Sequence, residues 1–308
     1  ALSPDRSSWQ STEPLDYDET YTWSGTVVGP DRKPRPFTSS FITVAPARQV
    51  DGTLNIKDGD TVGVAAPIIL QFDHQVSDRA AVERALQVQA SVPTEGSWAW
   101  LPDDDNGSRV HYRPRNYWQP GTKVTVTAKL YGLPYGKGSH GSADVSTHFT
   151  IGRAQIVKAD VNSHRMIVIR DGRQVLDLPA SYGLGSDPGR HTTNGIHVVM
   201  SKSDTVLMTN PAYDYFDVPM HWAVRISNNG EFIHANPATT GVQGSSNVTH
   251  GCVNLSTENA RQYFDTAIFG DPVEVTNSPT PMTAEHGDIY DWTVPWDSWK
   301  AMSALATP

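Results

Sequence analysis

The chain has 308 residues, a length that favours two domains with room for an appended segment. Its 24 Lys and Arg residues against 33 Asp and Glu give a formal net charge of −9 without a dense basic stretch, which excludes a nucleic-acid-binding protein. The longest nearly apolar run, 62–70, is far shorter than the ~20 residues of a membrane helix and contains Gly63 and Pro67. The single cysteine, Cys252, excludes an intrachain disulfide framework and zinc sites built on several cysteines.

The N-terminal part, residues 1–45, contains two predicted strands. Thr20–Val28 alternates in the manner of a strand, a second strand is expected at 37–44, and a proline-rich turn separates them. Because two strands seldom form a stable unit alone, we expect either part of an immunoglobulin-like domain or an appendage to the domain that follows.

Residues 46–151 have the pattern of an immunoglobulin-like β-sandwich. Short strands are predicted at 61–72, 86–92, 98–101, 109–113 and 123–131, separated by turn sequences. In the last of them Val124, Val126 and Ala128 alternate with polar residues, as a half-buried antiparallel strand requires. The cysteine pair of antibody domains is absent.

Residues 152–276 form a second β-rich unit, so the predicted fold class is mainly β with one or two helices. Strands are predicted at 155–160, 165–170, 196–201, 222–227 and 231–235, and Asn228-Asn229-Gly230 is typical of a hairpin turn. A helix is predicted between the N-cap Ser256 and the terminating Gly270. The Trp-rich tail, 277–308, is predicted to form a short helix after Pro295 and to pack on this second domain.

The segment around Cys252 concentrates the residues that a thiol nucleophile needs. A thiolate is the reactive form, so an active cysteine benefits from a cationic or helix-N-terminal neighbourhood, and Cys252 precedes the predicted helix. Gly251 allows close approach of a substrate, and the N–H groups from His250 to Cys252 could bind an oxyanion. His234, at the end of a predicted strand, is the candidate base, and His250 is suited to a flanking role.

Other interpretations of these residues remain open at the level of sequence. An isolated cysteine is most often a small buried apolar residue. His234, His250 and Cys252 could also ligate zinc, although no carboxylate is evident nearby. A papain-like protease is disfavoured because there the cysteine precedes the histidine by a long interval.

The motif Thr249-His250-Gly251-Cys252-Val253-Asn254, with His234 eighteen residues before Cys252, resembles the signature of the L,D-transpeptidases, cysteine enzymes that cross-link bacterial peptidoglycan. The resemblance extends over about 46–300. It is carried by these further segments: Thr147-His148-Phe149-Thr150-Ile151, Thr193-Asn194-Gly195-Ile196, the stretch 222–227 and the stretch 291–296. The layout is similar to the mycobacterial type, in which immunoglobulin-like domains precede the catalytic one.

The resemblance implies a two-step acyl transfer. Cys252, deprotonated by His234, would attack the carbonyl before the terminal D-Ala of a tetrapeptide donor, and a diaminopimelate amine of an acceptor stem would resolve the thioester. The N–H groups of His250, Gly251 and Cys252 would hold the oxyanion. The remaining substrate-binding candidates are Asn254, Thr249, Met208 and Phe216.

These substrate-binding assignments have structural alternatives. Asn254 could equally brace its loop, Thr249 favours a structural role, and Met208 and Phe216 could be core residues. The resemblance further implies acylation by carbapenems, no metal or cofactor, and a location in the cell envelope, with a membrane or lipid anchor left open.

Three positions depart from the family pattern, one of them Ala238, where some relatives have Trp. Ala235 follows the catalytic histidine where relatives often have Ser, so a backbone carbonyl must orient His234. Phe216 stands where Tyr is common. The rival functions are an L,D-carboxypeptidase, in which water resolves the same acyl-enzyme, and a non-catalytic peptidoglycan-binding module.

Overall fold

The computed structural model describes residues 1–284 and 289–306, which form three successive β units and a C-terminal tail. The first unit is a two-stranded antiparallel hairpin of β1 (Thr20–Val28) and β2 (Pro34–Ile42). It is attached to the next domain by Tyr17, whose hydroxyl donates to the Gly141 carbonyl at 2.7 Å and whose ring lies 5.0 Å from that of Tyr131. The hairpin therefore forms a sheet of its own, and the choice between part of an immunoglobulin-like domain and an appendage stays a prediction.

The second unit is the predicted sandwich. Its elements are β3 (Arg48–Val50), β4 (Gly52–Leu54), β5 (Thr61–Val62), β6 (Ile68–Phe72), α1 (Arg79–Arg84), β7 (Leu86–Ala90), β8 (Gly96–Trp100), β9 (Arg109–Pro114), β10 (Lys123–Ala128), β11 (Pro134–Gly136), β12 (Ser139–Gly141) and β13 (Val145–Ile151). Two four-stranded sheets, in the orders β5-β13-β10-β7 and β4-β6-β9-β8, enclose the core, and β11-β12-β3 forms a small third sheet. The alternating Val124, Val126 and Ala128 are buried, as predicted.

One predicted strand of the sandwich is divided in two. The expected strand 61–72 appears as β5 and β6, because the intervening Gly63 and Ala65 donate their N–H groups to the carbonyls of Phe269 and Gly270 instead of to a neighbouring strand. A Cβ at Gly63 would lie 2.3 Å from the backbone of Gly270 and Asp271, so only glycine permits this close approach. The interruption is therefore part of the contact between the two domains.

The third unit holds two sheets and one helix. Its elements are β14 (Gln155–Asp160), β15 (Arg165–Arg170), β16 (Arg173–Pro179), β17 (Gly195–Val198), β18 (Ser201–Asn210), β19 (Tyr215–Arg225), β20 (Phe232–Ala235), β21 (Val253–Leu255), α2 (Thr257–Phe264) and β22 (Pro272–Thr276). The five-stranded sheet has the order β16-β15-β14-β22-β17 and the four-stranded sheet the order β18-β19-β20-β21. Both sheets and α2 share one apolar core.

The helix α2 begins as predicted and ends earlier. The Ser256 hydroxyl accepts from the Asn259 N–H, as an N-cap should, and Ala260, Tyr263 and Phe264 are buried. After Phe264 the chain turns, and the Asp271 carboxylate accepts the N–H of Ile268. This side-chain acceptor replaces the next helical hydrogen bond.

The C-terminal tail contacts both folded domains. It contacts β17 through the 3-10 turn Asp291–Thr293, but its helix α3 (Trp296–Ala301) packs on β8 of the sandwich and not on the catalytic unit. Trp299 is fully buried and its indole N–H donates to the Ser97 carbonyl at 3.0 Å. The Arg113 guanidinium lies 4.9 to 5.2 Å from three tail indoles, those of Trp292, Trp296 and Trp299.

A buried histidine–carboxylate contact completes the junction of tail and sandwich. The His111 ring lies 3.0 Å from both oxygens of Asp291, and both side chains are nearly inaccessible to solvent. The tail therefore ties the catalytic unit to the sandwich. Within the described part of the chain, no helix combines the length and apolar character needed to cross a membrane.

Candidate active site

Strand pairing brings His234 and Cys252 together. Strand β20 pairs in parallel with β21, and the register places His234 opposite Asn254. Side chains two residues apart on a strand share a face, so Cys252, just before β21, projects to the same side as His234. The long connection between the strands, with its 3-10 turn Pro237–Thr239, closes over this face. The predicted nucleophile and base thus line one cavity.

A tight turn fixes the backbone that precedes Cys252. The Thr249 hydroxyl donates to the Cys252 carbonyl at 2.6 Å and accepts the Gly251 N–H at 3.3 Å. Gly251 adopts φ +111°, a conformation that residues with a side chain rarely take. Thr249 is therefore a brace of the turn, and the Gly251 N–H, one of three predicted oxyanion donors, is engaged by it.

A backbone carbonyl holds His234 in one tautomer. The ring Nδ1 lies 2.9 Å from the Ala235 carbonyl oxygen, and an acceptor there requires Nδ1 to carry a proton. This is the backbone orienter that Ala235 in place of Ser predicts. His234 is almost fully buried, and burial lowers its pKa to about 4. The neutral ring therefore presents an unprotonated Nε2, the atom that a general base needs.

The environment of the thiol differs from the sequence-based expectation. Cys252 does not lie at a helix N-terminus, because β21 and Ser256 separate it from α2. Desolvation, with a smaller contribution from the Glu231 carboxylate, raises the pKa of the thiol to about 12, and the backbone N–H of Phe232 and the Arg225 charge oppose the shift. The Sγ atom lies 3.5 Å from the Gly230 carbonyl. The resting thiol is therefore protonated, and its activation requires a base.

The cavity that Cys252 and His234 share has a volume of about 270 Å³. Of the predicted substrate-binding residues, Met208, Thr249 and Asn254 line it, as does His250. Phe216 does not: its side chain is 58% exposed, and the adjacent Tyr215 faces the cavity instead. The residues of the lining that the sequence did not indicate are Val218, Met220, Asn236, Thr239 and Val248.

Asn254 carries an unsatisfied acceptor in this lining. Its backbone exchanges two hydrogen bonds with Ser181, and its side-chain amide nitrogen lies 3.5 Å from the Thr239 hydroxyl. In the assigned amide orientation the buried Oδ1 has no partner among the described residues. Such an atom is costly to bury alone, so a ligand N–H would be favoured beside it.

A second cavity, of about 340 Å³, adjoins the first. The two cavities share Met208, Tyr215 and His250. The lining of the second one is largely polar and includes Asn210, Arg225, Asn229, Gly230, Glu231 and Gly251. Of these two cavities, Cys252 lines the first, and the second is lined by Gly230, whose carbonyl oxygen lies 3.5 Å from Sγ.

Two tyrosine rings pack against His250, and one guanidinium binds the backbone just before it. The His250 ring lies 4.7 Å from the Tyr213 ring and 5.4 Å from the Tyr215 ring. Arg190 donates from Nε to the Thr249 carbonyl at 3.0 Å and from Nη2 to the Val248 carbonyl. Desolvation, assisted by the Arg190 charge, lowers the pKa of His250. No local signal in the sequence marks Arg190 or Tyr213.

In the described residues, no group of three or more His, Cys, Asp or Glu side chains is arranged to hold a metal ion. The side chains around Cys252 are suited instead to acyl transfer through a thiol. The imidazole of His234 lies in the same cavity as the thiol, and the Thr249 hydroxyl braces the turn that precedes Cys252.

Family models match both folded parts of the chain. A model described as a bacterial Ig domain matches residues 1–134, and one described as the L,D-transpeptidase catalytic domain matches residues 154–275. The first match spans both the N-terminal hairpin and most of the sandwich, and the second spans the catalytic unit from β14 to β22.

Curated relatives are similar along the whole chain. L,D-transpeptidase 5 of Mycobacterium tuberculosis is 56% identical over 308 residues, which are 100% of this chain and 68% of the relative. L,D-transpeptidase 2 of the same species is 36% identical over 313 residues, covering 99% of this chain and 74% of the relative.

Solved structures agree with this similarity. The L,D-transpeptidase LdtMt1 in complex with imipenem aligns with a TM-score of 0.63 at 32% identity, covering 75% of this chain and 100% of that one. L,D-transpeptidase 3 from Mycobacterium tuberculosis in complex with a faropenem-derived adduct aligns at 0.59 and 28%, covering 73% and 97%. The resemblance of the His-Gly-Cys motif and the mainly β fold are thereby confirmed, and the chain belongs to the L,D-transpeptidase family, with a bacterial Ig domain preceding its catalytic domain.

Proposed function

We propose that this enzyme joins the third residues of two peptidoglycan stem peptides through a thioester on Cys252. The observation that carries the proposal is the position of Cys252 and His234 in one cavity, with Nδ1 of His234 bound to the Ala235 carbonyl and Nε2 available. A neutral base beside a neutral thiol suits proton transfer at the moment of attack.

In the first step, Sγ of Cys252 forms a bond to the carbonyl carbon before the terminal D-Ala of a tetrapeptide donor. The thiol proton passes to Nε2 of His234, and the negative charge develops on the carbonyl oxygen, beside the N–H of Cys252. Collapse breaks the C–N bond, and D-Ala leaves as an amine that takes the proton from His234. A thioester remains.

In the second step, an amine of the acceptor stem attacks the thioester carbon. His234 accepts a proton from the attacking nitrogen and returns it to the departing Sγ, which restores the thiol. Proton and bond changes therefore balance over the cycle. The unpaired Oδ1 of Asn254 suits a donor amide N–H, because binding there would satisfy a buried acceptor.

The second cavity favours transfer to an amine over hydrolysis. A carboxypeptidase needs room only for water at the thioester, whereas this enzyme has about 340 Å³ of polar space in the adjoining cavity. Its Asn229 gives that space an amide oxygen able to accept from an amine. We further propose acylation of Cys252 by carbapenems, whose strained lactam carbonyl suits the same attack, and a location on the outer side of the cytoplasmic membrane, where the polymer lies.

The test is mass spectrometry of the products formed from a disaccharide-tetrapeptide by the enzyme and by Cys252→Ala. The proposal expects dimers linked between third residues, with release of D-Ala, from the wild type alone. Tripeptide monomers without dimers would identify a carboxypeptidase. Products that do not depend on Cys252, or none from the wild type, would refute the proposed reaction.

A further inference from the structure

A buried polar network behind the nucleophile takes no part in the chemistry described above. Glu231 follows the hairpin turn that supplies Gly230 and is only 4% exposed. One of its carboxylate oxygens accepts the Thr193 N–H at 2.7 Å, and the Thr193 hydroxyl lies 3.0 Å from both oxygens. Burial of a carboxylate is unfavourable unless hydrogen bonds or charges compensate it, so this arrangement calls for a role.

His197 completes the network from the strand β17. It is fully buried, and its Nε2 lies 2.8 Å from the Thr193 carbonyl. Its Nδ1 faces the Ile226 carbonyl at 3.3 Å and the Glu231 carboxylate at 3.8 Å. Glu231 therefore binds the backbone N–H of Thr193, and His197 binds its carbonyl oxygen.

Thr192, the residue before Thr193, contacts the turn that precedes Cys252. The Thr192 side chain is 1% exposed, and its hydroxyl donates to the Gly251 carbonyl at 2.8 Å while accepting the Gly183 N–H at 3.0 Å. The C=O and N–H of one trans peptide group point in opposite directions. Holding the Gly251 carbonyl against Thr192 therefore directs the Cys252 N–H away from Thr192.

We propose that Glu231 is a positioning residue that, through Thr193 and Thr192, holds the Cys252 N–H in the orientation that binds the oxyanion. The inference rests on the proposed acyl transfer. Glu231 has an electrostatic cost as well, since its carboxylate opposes ionisation of Cys252. A residue that merely filled space would need neither the charge nor the Thr193 contacts.

Two reactions of the same thiol separate positioning from general damage. Acylation by imipenem passes through an oxyanion, whereas alkylation by iodoacetamide displaces iodide from carbon and forms none. Loss of an aligned oxyanion donor costs about 10²–10³ in rate, and we expect a misdirected one to cost at least about tenfold. Alkylation should not fall below about a third of the wild-type rate in any variant, because its transition state makes no use of the Cys252 N–H and loss of the Glu231 charge favours the thiolate.

The variants are Glu231→Gln, Glu231→Val, Thr192→Val and Thr192→Ser, each with its thermal unfolding temperature measured. Gln and Ser retain the acceptor for Thr193 and the donor for Gly251, so both should acylate near the wild-type rate. The two Val variants should lose acylation. If Glu231→Val does not fold, Thr192→Val carries the test, because it is nearly isosteric and leaves the buried carboxylate paired.

The outcomes are distinguishable from failure of the proposed function. Wild-type enzyme that imipenem does not acylate at Cys252 would refute the acyl-enzyme itself. A wild type that is acylated, with Thr192→Val and Glu231→Val acylated equally fast, would refute the positioning role alone. Parallel loss of acylation and alkylation in folded Val variants would also refute it, since the defect would then lie in the thiol.

Discussion

The resting state of the His234–Cys252 pair is open to a quantitative prediction. The pKa values of about 4 for His234 and about 12 for Cys252 differ by roughly 8 units, so moving the thiol proton to the imidazole costs about 11 kcal/mol at 1.36 kcal/mol per unit. Attraction between the two new charges would offset about 4 kcal/mol of this at an effective dielectric constant near 20. The remaining ~7 kcal/mol leaves far fewer than one molecule in ~10⁴ as a thiolate–imidazolium pair. Both side chains are therefore neutral before substrate binds.

Ultraviolet absorbance of the thiolate measures this directly, because Cys252 is the only cysteine in the chain. The difference spectrum between the wild type and Cys252→Ser removes the background from other groups. Between about pH 5 and pH 8 we expect no Cys252-dependent thiolate absorbance, since the thiol pKa lies well above that interval. A titration with its midpoint below about pH 7 would refute the reasoning, because it would show a preformed ion pair.

Three further predictions follow from the site and the tail. The pKa of His234 is lowered from 6.5 to about 4 by folding, so the unfolded chain takes up this proton at a higher pH than the folded one. His234 should therefore contribute up to about 3 kcal/mol of stability above pH 6.5, and this contribution should be lost as the pH falls towards 4. Chemical unfolding of the wild type and His234→Gln as a function of pH measures it. Tyr215→Ala should weaken donor use at least about tenfold in kcat/KM, whereas Phe216→Ala, whose side chain is 58% exposed, should change it less than about threefold. Trp299→Ala should cost about 3–5 kcal/mol of stability, seen in thermal unfolding, because it empties a buried site; Leu305→Ala, 44% exposed, is the control.

Each of these predictions has an outcome that opposes it. Equal acid sensitivity of the wild type and His234→Gln would show that the histidine is not the group that titrates. A larger loss for Phe216→Ala than for Tyr215→Ala would place the other ring at the donor. An unchanged unfolding temperature for Trp299→Ala would show that α3 does not tie the tail to the sandwich.

Local sequence was sufficient to single out Cys252 and His234 as the candidate nucleophile and base. Cys252 lies in a polar, glycine-containing segment. His234 lies near the end of a strand that the preceding turn Asn228-Asn229-Gly230 predicts. Their meeting depends only on the parallel pairing of β20 with β21. The N-cap at Ser256 was equally local, and the hydrogen bond that it predicts is present.

The site residues that the sequence did not indicate reach it through contacts between distant parts of the chain. Arg190 reaches the Thr249 carbonyl across 59 residues, and Thr192 reaches Gly251 across the same interval. The sequence does not predict most of strands β18 and β19, because β18 has one buried residue and therefore shows no alternation of apolar and polar positions. The indoles of the tail indicate burial without indicating which domain receives them.

Identification of the residue that carries the acyl group tests the central claim most directly. The enzyme is mixed with a tetrapeptide donor in the absence of an acceptor, quenched in acid, digested, and mapped by mass spectrometry. The account predicts a tripeptide-derived acyl group on the peptide that contains Cys252, with much slower formation in His234→Ala. Product formation from the same donor with no acyl group on Cys252, or with the group on another residue, would contradict it.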